Sequence, residues 1–219
     1  MNKKCFLITG ASSGLGKAMK DFLLTETNHD VISLSRQTEP TDATYRNLLY
    51  VYLDLSLVKN FDFVSNICKS YIDSELIFIN NAATILPLEK TGSFTSKEIS
   101  SYYYTNVIAQ VNLINRLIAV RKHNFTLLNI SSGAAKKAIK SWSLYCSAKA
   151  ALYMFCEVLA IDHPEIRVKN IDPGVINTRM QEHIRNSNIP DLNIFEDLNE
   201  KSSLKDPINT AKEILKDYV

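Results

Sequence analysis

Cysteine is scarce and scattered. Cys5, Cys68, Cys146 and Cys156 are the only four, none forms a Cys-x-x-Cys pair, and all lie in apolar strand or helix patterns. That spacing argues against a disulfide scaffold and a thiolate metal cluster, and predicts reduced core or near-site thiols. Histidine is as sparse: His29, His123, His163 and His183 stand far apart with no ligand spacing, so a metal hydrolase finds no support and no metal site is expected. Excess charge is missing too. The net balance is +2, which gives no reason to expect a nucleic-acid or membrane partner. The N-terminal apolar run breaks at Thr9 and Gly10, too short for a signal-peptide core or a spanning helix, so a cytoplasmic protein is expected. There is no internal repeat, low-complexity tract or interdomain linker.

What remains is an ordinary globular composition, 46% hydrophobic and 22% charged over 219 residues. It suits one α/β domain spanning 1–219 with a large buried core. Two stretches carry chemistry. The first is Thr9-Gly10-Ala11-Ser12-Ser13-Gly14-Leu15-Gly16, which follows the apolar run Cys5 to Ile8 and precedes a helical pattern. A strand, a glycine turn and a helix form the setting that binds a pyrophosphate. Glycines let the backbone approach, and free amides with the helix dipole attract the charge.

The second stretch runs from Ser131 to Lys149. Tyr145 and Lys149 are four apart, on one helix face and within interaction distance. A phenol is a poor acid or base at neutral pH, and a neighbouring ammonium favours its ionised form. Ser132, just beyond an apolar run, is placed to anchor a carbonyl oxygen beside that phenol. Alone, Tyr-x-x-x-Lys is no more than a surface tyrosine along a lysine stem; the glycine motif upstream changes its meaning.

Together these residues resemble a short-chain dehydrogenase/reductase. The resemblance extends over Thr-Gly-x-x-x-Gly-x-Gly, Asp54, Asn80-Asn81-Ala82, Asn106, Ser132, Tyr145, Lys149 and Pro173-Gly174-x-x-x-Thr178, in the family's order. Within the family, the segments Trp142 to Ala151 and Pro173 to Gln181 are similar to the sepiapterin reductase and benzil reductase branch. The resemblance implies a Rossmann-like, doubly wound parallel sheet flanked by helices. It implies a catalytic set of Asn106, Ser132, Tyr145 and Lys149, with Asn106 holding a water in a proton relay. Asp54 is implied beside the adenine amino group, although an N-cap for a helix beginning near Leu57 fits that residue equally well. Asn81 and Ala82 are implied at the cofactor. The backbone from Pro173 to Val175 and the Thr178 hydroxyl are implied at the nicotinamide or a phosphate; a Pro-Gly turn followed by an N-cap is the bland reading. The family pattern has Gly where this chain has Ala83, and an added methyl there would narrow the cofactor floor.

Along the chain, strands are expected at Lys4 to Thr9, His29 to Ser35, Leu48 to Leu53, Glu75 to Asn80, Thr126 to Ser131 and Arg167 to Ile171. Helices are expected at Gly14 to Thr25, from Leu57 to Cys68, from Ser96 to Arg121, Ser141 to Ile161 and Pro207 to Tyr218. The total is about six strands, without the family's usual seventh. Asn80 is expected to tie strands together. The triple Tyr102-Tyr103-Tyr104 covers more than one helix face, so at least one ring should face a partner or substrate. The broad apolar stripe of the helix from Ser141 suggests burial on two sides, and with the family's four-helix interface it implies a homodimer. Residues 179–205 read as a substrate lid.

Arg36 ends the second strand, where an acid selects a free ribose 2′-hydroxyl and an arginine accommodates a 2′-phosphate. NADP(H) is therefore expected over NAD(H), with Gly10, Ser12, Ser13, Gly14, Leu15, Gly16, Tyr145 and Lys149 among its contacts. The expected activity is NADPH-dependent reduction of a small apolar or aromatic ketone or diketone. Sepiapterin reduction is the enzymatic alternative, and an NADP-sensing regulator without turnover is the non-catalytic one.

Overall fold

The computed structural model describes residues 3–37, 45–57, 60–121, 123–185 and 204–219. Six parallel strands form one sheet: β1 (Lys4–Thr9), β2 (Asp30–Ser35), β3 (Leu48–Tyr52), β4 (Glu75–Asn80), β5 (Phe125–Ile130) and β6 (Arg167–Ile171). Their order is β3-β2-β1-β4-β5-β6. The four inner strands are almost wholly buried, as unbroken apolar runs such as Cys5 to Ile8 demand when helices cover both faces. The edge strands β3 and β6 are only partly covered.

Helices α1 (Gly14–Glu26) and α7 (Pro207–Leu215) cover one face, burying Met19, Leu23 and Leu215 against Phe6, Ile8 and Ile77. On the other face lie α2 (Asp62–Lys69), α4 (Ala109–Val120) and α5 (Ser143–Asp162), with Val64, Leu113, Leu117 and Cys156 against Leu7, Ile32 and Phe78. Leaving β3, the chain crosses back past β1 to enter β4. The order reverses there, which opens a crevice at the carboxyl ends of β1 and β4.

Three expectations need correction. The second helix starts at Asp62, not near Leu57, which lies in a turn and is 71% exposed. Asp54 does not cap it: Oδ1 accepts hydrogen bonds from the Ser56 backbone N–H at 2.9 Å and the Ser56 hydroxyl at 2.6 Å, closing a local turn. The long helix is interrupted. A Thr95/Glu98 capping box starts α3 (Ser96–Tyr103), but Tyr104–Ile108 winds as a π-helical turn, the Ala109 N–H reaching back to the Tyr104 carbonyl, before α4 resumes. The wider turn draws Asn106 inside. Of the three tyrosines, Tyr102 is buried with its hydroxyl on the Thr84 carbonyl at 2.9 Å, while the part-exposed Tyr103 meets the Ser147 hydroxyl at 2.6 Å and the part-exposed Tyr104 packs against the core.

The carboxyl ends of β4, β5 and β6 are joined by side-chain amides in register. Asn80 Nδ2 donates to Gln110 Oε1 at 2.9 Å and to Asn129 Oδ1 at 3.0 Å, and Asn129 Nδ2 donates to Asn170 Oδ1 at 2.7 Å. Asn80 thus ties strands, as its position suggested. Gln110 also donates to the carbonyls of Ala82 and Thr105, which fixes the crevice floor to the π-helical turn.

Candidate active site

A cleft of about 770 Å3 opens along the carboxyl ends of the strands. One half is built by the glycine turn. Gly10 and Gly14 adopt φ of +68° and +54°, left-handed values that other residues adopt at a cost. A Cβ on Gly16 would stand 2.3 Å from the Gly10 carbonyl oxygen and 2.5 Å from Asn81 Nδ2, so only glycine lets α1 pack this tightly behind the turn. Asn81 Nδ2 holds the Thr9 carbonyl at 3.0 Å, and the Thr9 hydroxyl accepts from the Asn81 and Ala82 backbone N–H groups at 3.0 and 3.1 Å. The turn is stapled to the end of β4.

Ser13 precedes α1 without a capping hydrogen bond, and no acid occupies the first helical turn. The leading amides keep their positive field, as an anionic pyrophosphate needs. Arg36 and Asp54 line the far end of the cleft with Ser35 and Leu53. Ala83 lines the floor without a left-handed backbone, since Asn124 and Ser141 are the only non-glycine residues with positive φ among those described. Its methyl is accommodated rather than strained.

The other half holds the hydroxyls. Ser132 leaves β5 as the cap of a short 310 turn, its Oγ accepting the Ala134 N–H at 3.2 Å. Tyr145 and Lys149 project from one side of α5, with the Lys149 ammonium 5.9 Å from the phenol ring centroid. Trp142 meets the same ring edge-on at 5.6 Å. Tyr145 is only 6% exposed. Burial pushes its phenol up to about 12, opposed by the Ser132 hydroxyl within hydrogen-bonding reach and reinforced by the Asp172 carboxylate and Cys146.

This corrects the expected electrostatics. Lys149, itself buried, is drawn down to about 8 by desolvation and donates to the Ile130 carbonyl at 2.8 Å, and burial outweighs any help it gives the phenolate. In the protein's own field Tyr145 is held protonated.

Of the residues singled out in the sequence, Gly10, Ser12, Ser13, Gly14, Leu15, Arg36, Asp54, Asn81, Ala82, Ser132, Tyr145, Lys149, Pro173, Gly174, Val175 and Thr178 all line this cleft. Gly16 supports it from behind. Asn106 does not line it: its Oδ1 accepts the Thr84 N–H at 2.9 Å and its Nδ2 donates to the Tyr102 carbonyl at 3.3 Å, so the side chain is committed to the cleft wall.

Among the other cleft residues, Asp172 and Met180 bear on the chemistry. Asp172 accepts the Gly174 N–H at 3.0 Å and shapes the Pro-Gly turn; an Asp before Pro-Gly is the signal that marked it. Met180 was read only as part of a lid, yet its sulfur lies 4.0 Å from the Tyr145 hydroxyl. It stands on α6 (Arg179–Arg185); residues 186–203 of the expected lid lie outside the described residues, and its end at Lys205 pairs with Val175 to Asn177 through two backbone hydrogen bonds.

The family model for short chain dehydrogenases matches residues 4–189. A benzil reductase ((S)-benzoin forming) of Bacillus subtilis (strain 168) is 35% identical, over 92% of this chain and 88% of that protein. The sepiapterin reductase of Rattus norvegicus is 28% identical, over 95% of this chain and 88% of its own length. The crystal structure of the KRED1-Pglu enzyme superposes with a TM-score of 0.88 at 27% identity, covering 98% of this chain and 94% of that one. Agreement over nearly the whole length, in sequence and in backbone, places the chain in the short-chain dehydrogenase/reductase family, oxidoreductases that act on CH–OH and C=O groups with nicotinamide cofactors.

Proposed function

We propose that the chain is an NADPH-dependent carbonyl reductase acting on small apolar or aromatic ketones and diketones, with Tyr145 as the proton donor. The convergence of Tyr145, Ser132 and Lys149 at the apolar end of the glycine-lined cleft carries this reading. The cleft suits a dinucleotide: the first amides of α1, at Gly14 and Leu15, border it with no side-chain cap and no acid in the first turn, and a Cβ at Gly10 would press on Ala82 and Asn81 at 3.0–3.2 Å, so glycine there keeps the turn tight against the end of β4. Gly10, Ser12, Ser13 and Leu15 would hold the phosphates and Lys149 the ribose hydroxyls. The cofactor supplies the hydride for the carbonyl carbon.

The chain's own groups act on the carbonyl oxygen. Ser132 Oγ accepts the Ala134 N–H, which fixes the oxygen and leaves its hydrogen to donate to the carbonyl oxygen as negative charge develops. Tyr145, held protonated by burial, then gives its proton to that oxygen and the alcohol forms. Lys149 has donors beyond the one on Ile130 to balance the phenolate left behind.

Ile85, Leu86, Ile139, Trp142 and Ile184 give the substrate end an apolar lining, which favours a diaryl or alkyl-aryl diketone over a polar pterin. Similarity to a benzil reductase supports the same choice. NADPH absorbance followed with benzil and with sepiapterin tests the reading: consumption is expected with benzil, and no consumption with any carbonyl would refute it.

Arg36, exposed at the cleft rim after β2, is positioned for a 2′-phosphate, and no acid at the end of the strand opposes it. Replacing it with Asp is expected to reverse the NADPH over NADH preference in kcat/KM by at least about tenfold. An unchanged preference would remove Arg36 from cofactor selection.

The outer side of α5 presents Ala151, Met154, Val158 and Ile161 at helical spacing, with Met154 59% and Ile161 78% exposed. By length and composition α5 is apolar enough to cross a membrane. Its inner side, however, packs against the sheet through Leu152, Cys156 and Leu159, so we read the outer stripe as the contact of a homodimer. Light scattering at micromolar concentration is expected to give twice the 24.7 kDa chain mass, and a monomer there would rule the dimer out.

A further inference from the structure

At the apolar end of the cleft one flexible side chain lies against the Tyr145 hydroxyl. Met180 points from α6 at the Tyr145 hydroxyl, its sulfur accepting at 4.0 Å. Proton donation requires a carbonyl oxygen within about 3 Å of that hydroxyl, so the thioether lies beside the very place the reacting oxygen must take. The inner side of α6 packs on the chain. Ile184 is fully buried among Ile85, Leu88, Trp142 and Tyr145, and the Gln181 N–H is held by the Thr178 carbonyl at 2.9 Å. Met180 itself is half-buried. With α6 seated through Ile184, the half-buried Met180 side chain can yield without moving the helix, and its unbranched, rotatable thioether suits that task.

We propose that Met180 is the specificity-determining residue of the cleft: its side chain swings off the phenol to admit the carbonyl oxygen and packs against the substituent that follows, so the volume at position 180 sets how large that substituent can be. This rests on the carbonyl-reductase reading for the nature of the ligand but is measurable without turnover. The chain has a single tryptophan, Trp142, which lines the cleft in contact with Tyr145. Quenching of its fluorescence therefore reports binding directly.

The test compares benzil with 1-phenylpropane-1,2-dione, which lacks one ring, in the full-length wild type, M180A, M180F and M180L. The benzil-to-phenylpropanedione affinity ratio is expected to rise in M180A and to fall in M180F, each by about tenfold or more. M180L, of similar volume, should keep the wild-type ratio, and NADPH affinity should stay within about twofold throughout. Ratios unchanged in both M180A and M180F overturn the proposal. So does a loss of NADPH binding in all three variants, because Met180 would then be a packing residue only. If the wild type reduces no carbonyl while these binding ratios shift as stated, the reductase reading fails and the assignment of Met180 stands.

Discussion

Tyr145→Phe is expected to lower the rate of carbonyl reduction by about 10²- to 10⁴-fold, the usual contribution of a positioned general acid, while NADPH still binds. The ring fills a closed site between Trp142, Ala148 and Met180, and phenylalanine keeps that shape, so the loss isolates the hydroxyl. Titration of NADPH against the variant, alongside turnover with benzil, separates the two effects. Near wild-type turnover would show that another group delivers the proton. Equal losses of binding and turnover would show that Tyr145 is chiefly a wall of the cofactor site. Burial holds this phenol near 12, so in the reductive direction Tyr145 should not itself impose an alkaline decline below about pH 10.

Gly16→Ala should have the largest effect on the cofactor half of the cleft. The new methyl would lie 2.3 Å from a backbone carbonyl oxygen and 2.5 Å from an amide that is itself hydrogen-bonded to the Thr9 backbone. Neither neighbour is the loose end of a side chain, so the turn must move. Forcing extra volume into a close-packed contact costs typically 1–3 kcal/mol. At the upper end this lowers Tm by about 6–12 °C for a chain of this size. NADPH affinity should fall by about 100-fold or more, because the displaced turn no longer presents its amides to a pyrophosphate. Calorimetry and cofactor titration check both. A variant that melts and binds as wild type would mean that the turn relaxes freely.

Much of this site was legible because it is written in local spacing. A glycine turn between strand and helix needs only neighbouring residues to be recognised. Tyr145 and Lys149 need only helical periodicity to share a side. Asn80 was legible as a strand tie because an amide at the end of a buried strand needs a partner, and the aligned ends of β4, β5 and β6 supply one in Asn129.

Elsewhere local signals misled. Asp54 reads as a helix cap, but Ser56 lies closer than any helix N–H and takes the carboxylate first. Nothing in Tyr102 to Ile108 marks a break, since neither Gly nor Pro is present. The π-helical turn coincides with side chains that part ways, Tyr104 packing with the core under the sheet helices and Tyr102 and Tyr103 with Trp142 and Tyr145, partners that only the assembled core brings near.

The amino-acid sequence by itself determined the six-stranded α/β framework, the glycine cradle and the Ser132, Tyr145 and Lys149 set, since hydrophobic periodicity and short-range spacing act before distant segments meet. Tertiary structure alone decided the electrostatics and the shape of the cleft. It buried Tyr145 and Lys149 so that desolvation keeps the phenol protonated, turned Asn106 into the wall, and set Met180 against the Tyr145 hydroxyl. Each of these depends on how much water the packed neighbours exclude and on which atoms they bring together, and no stretch of chain carries that information alone.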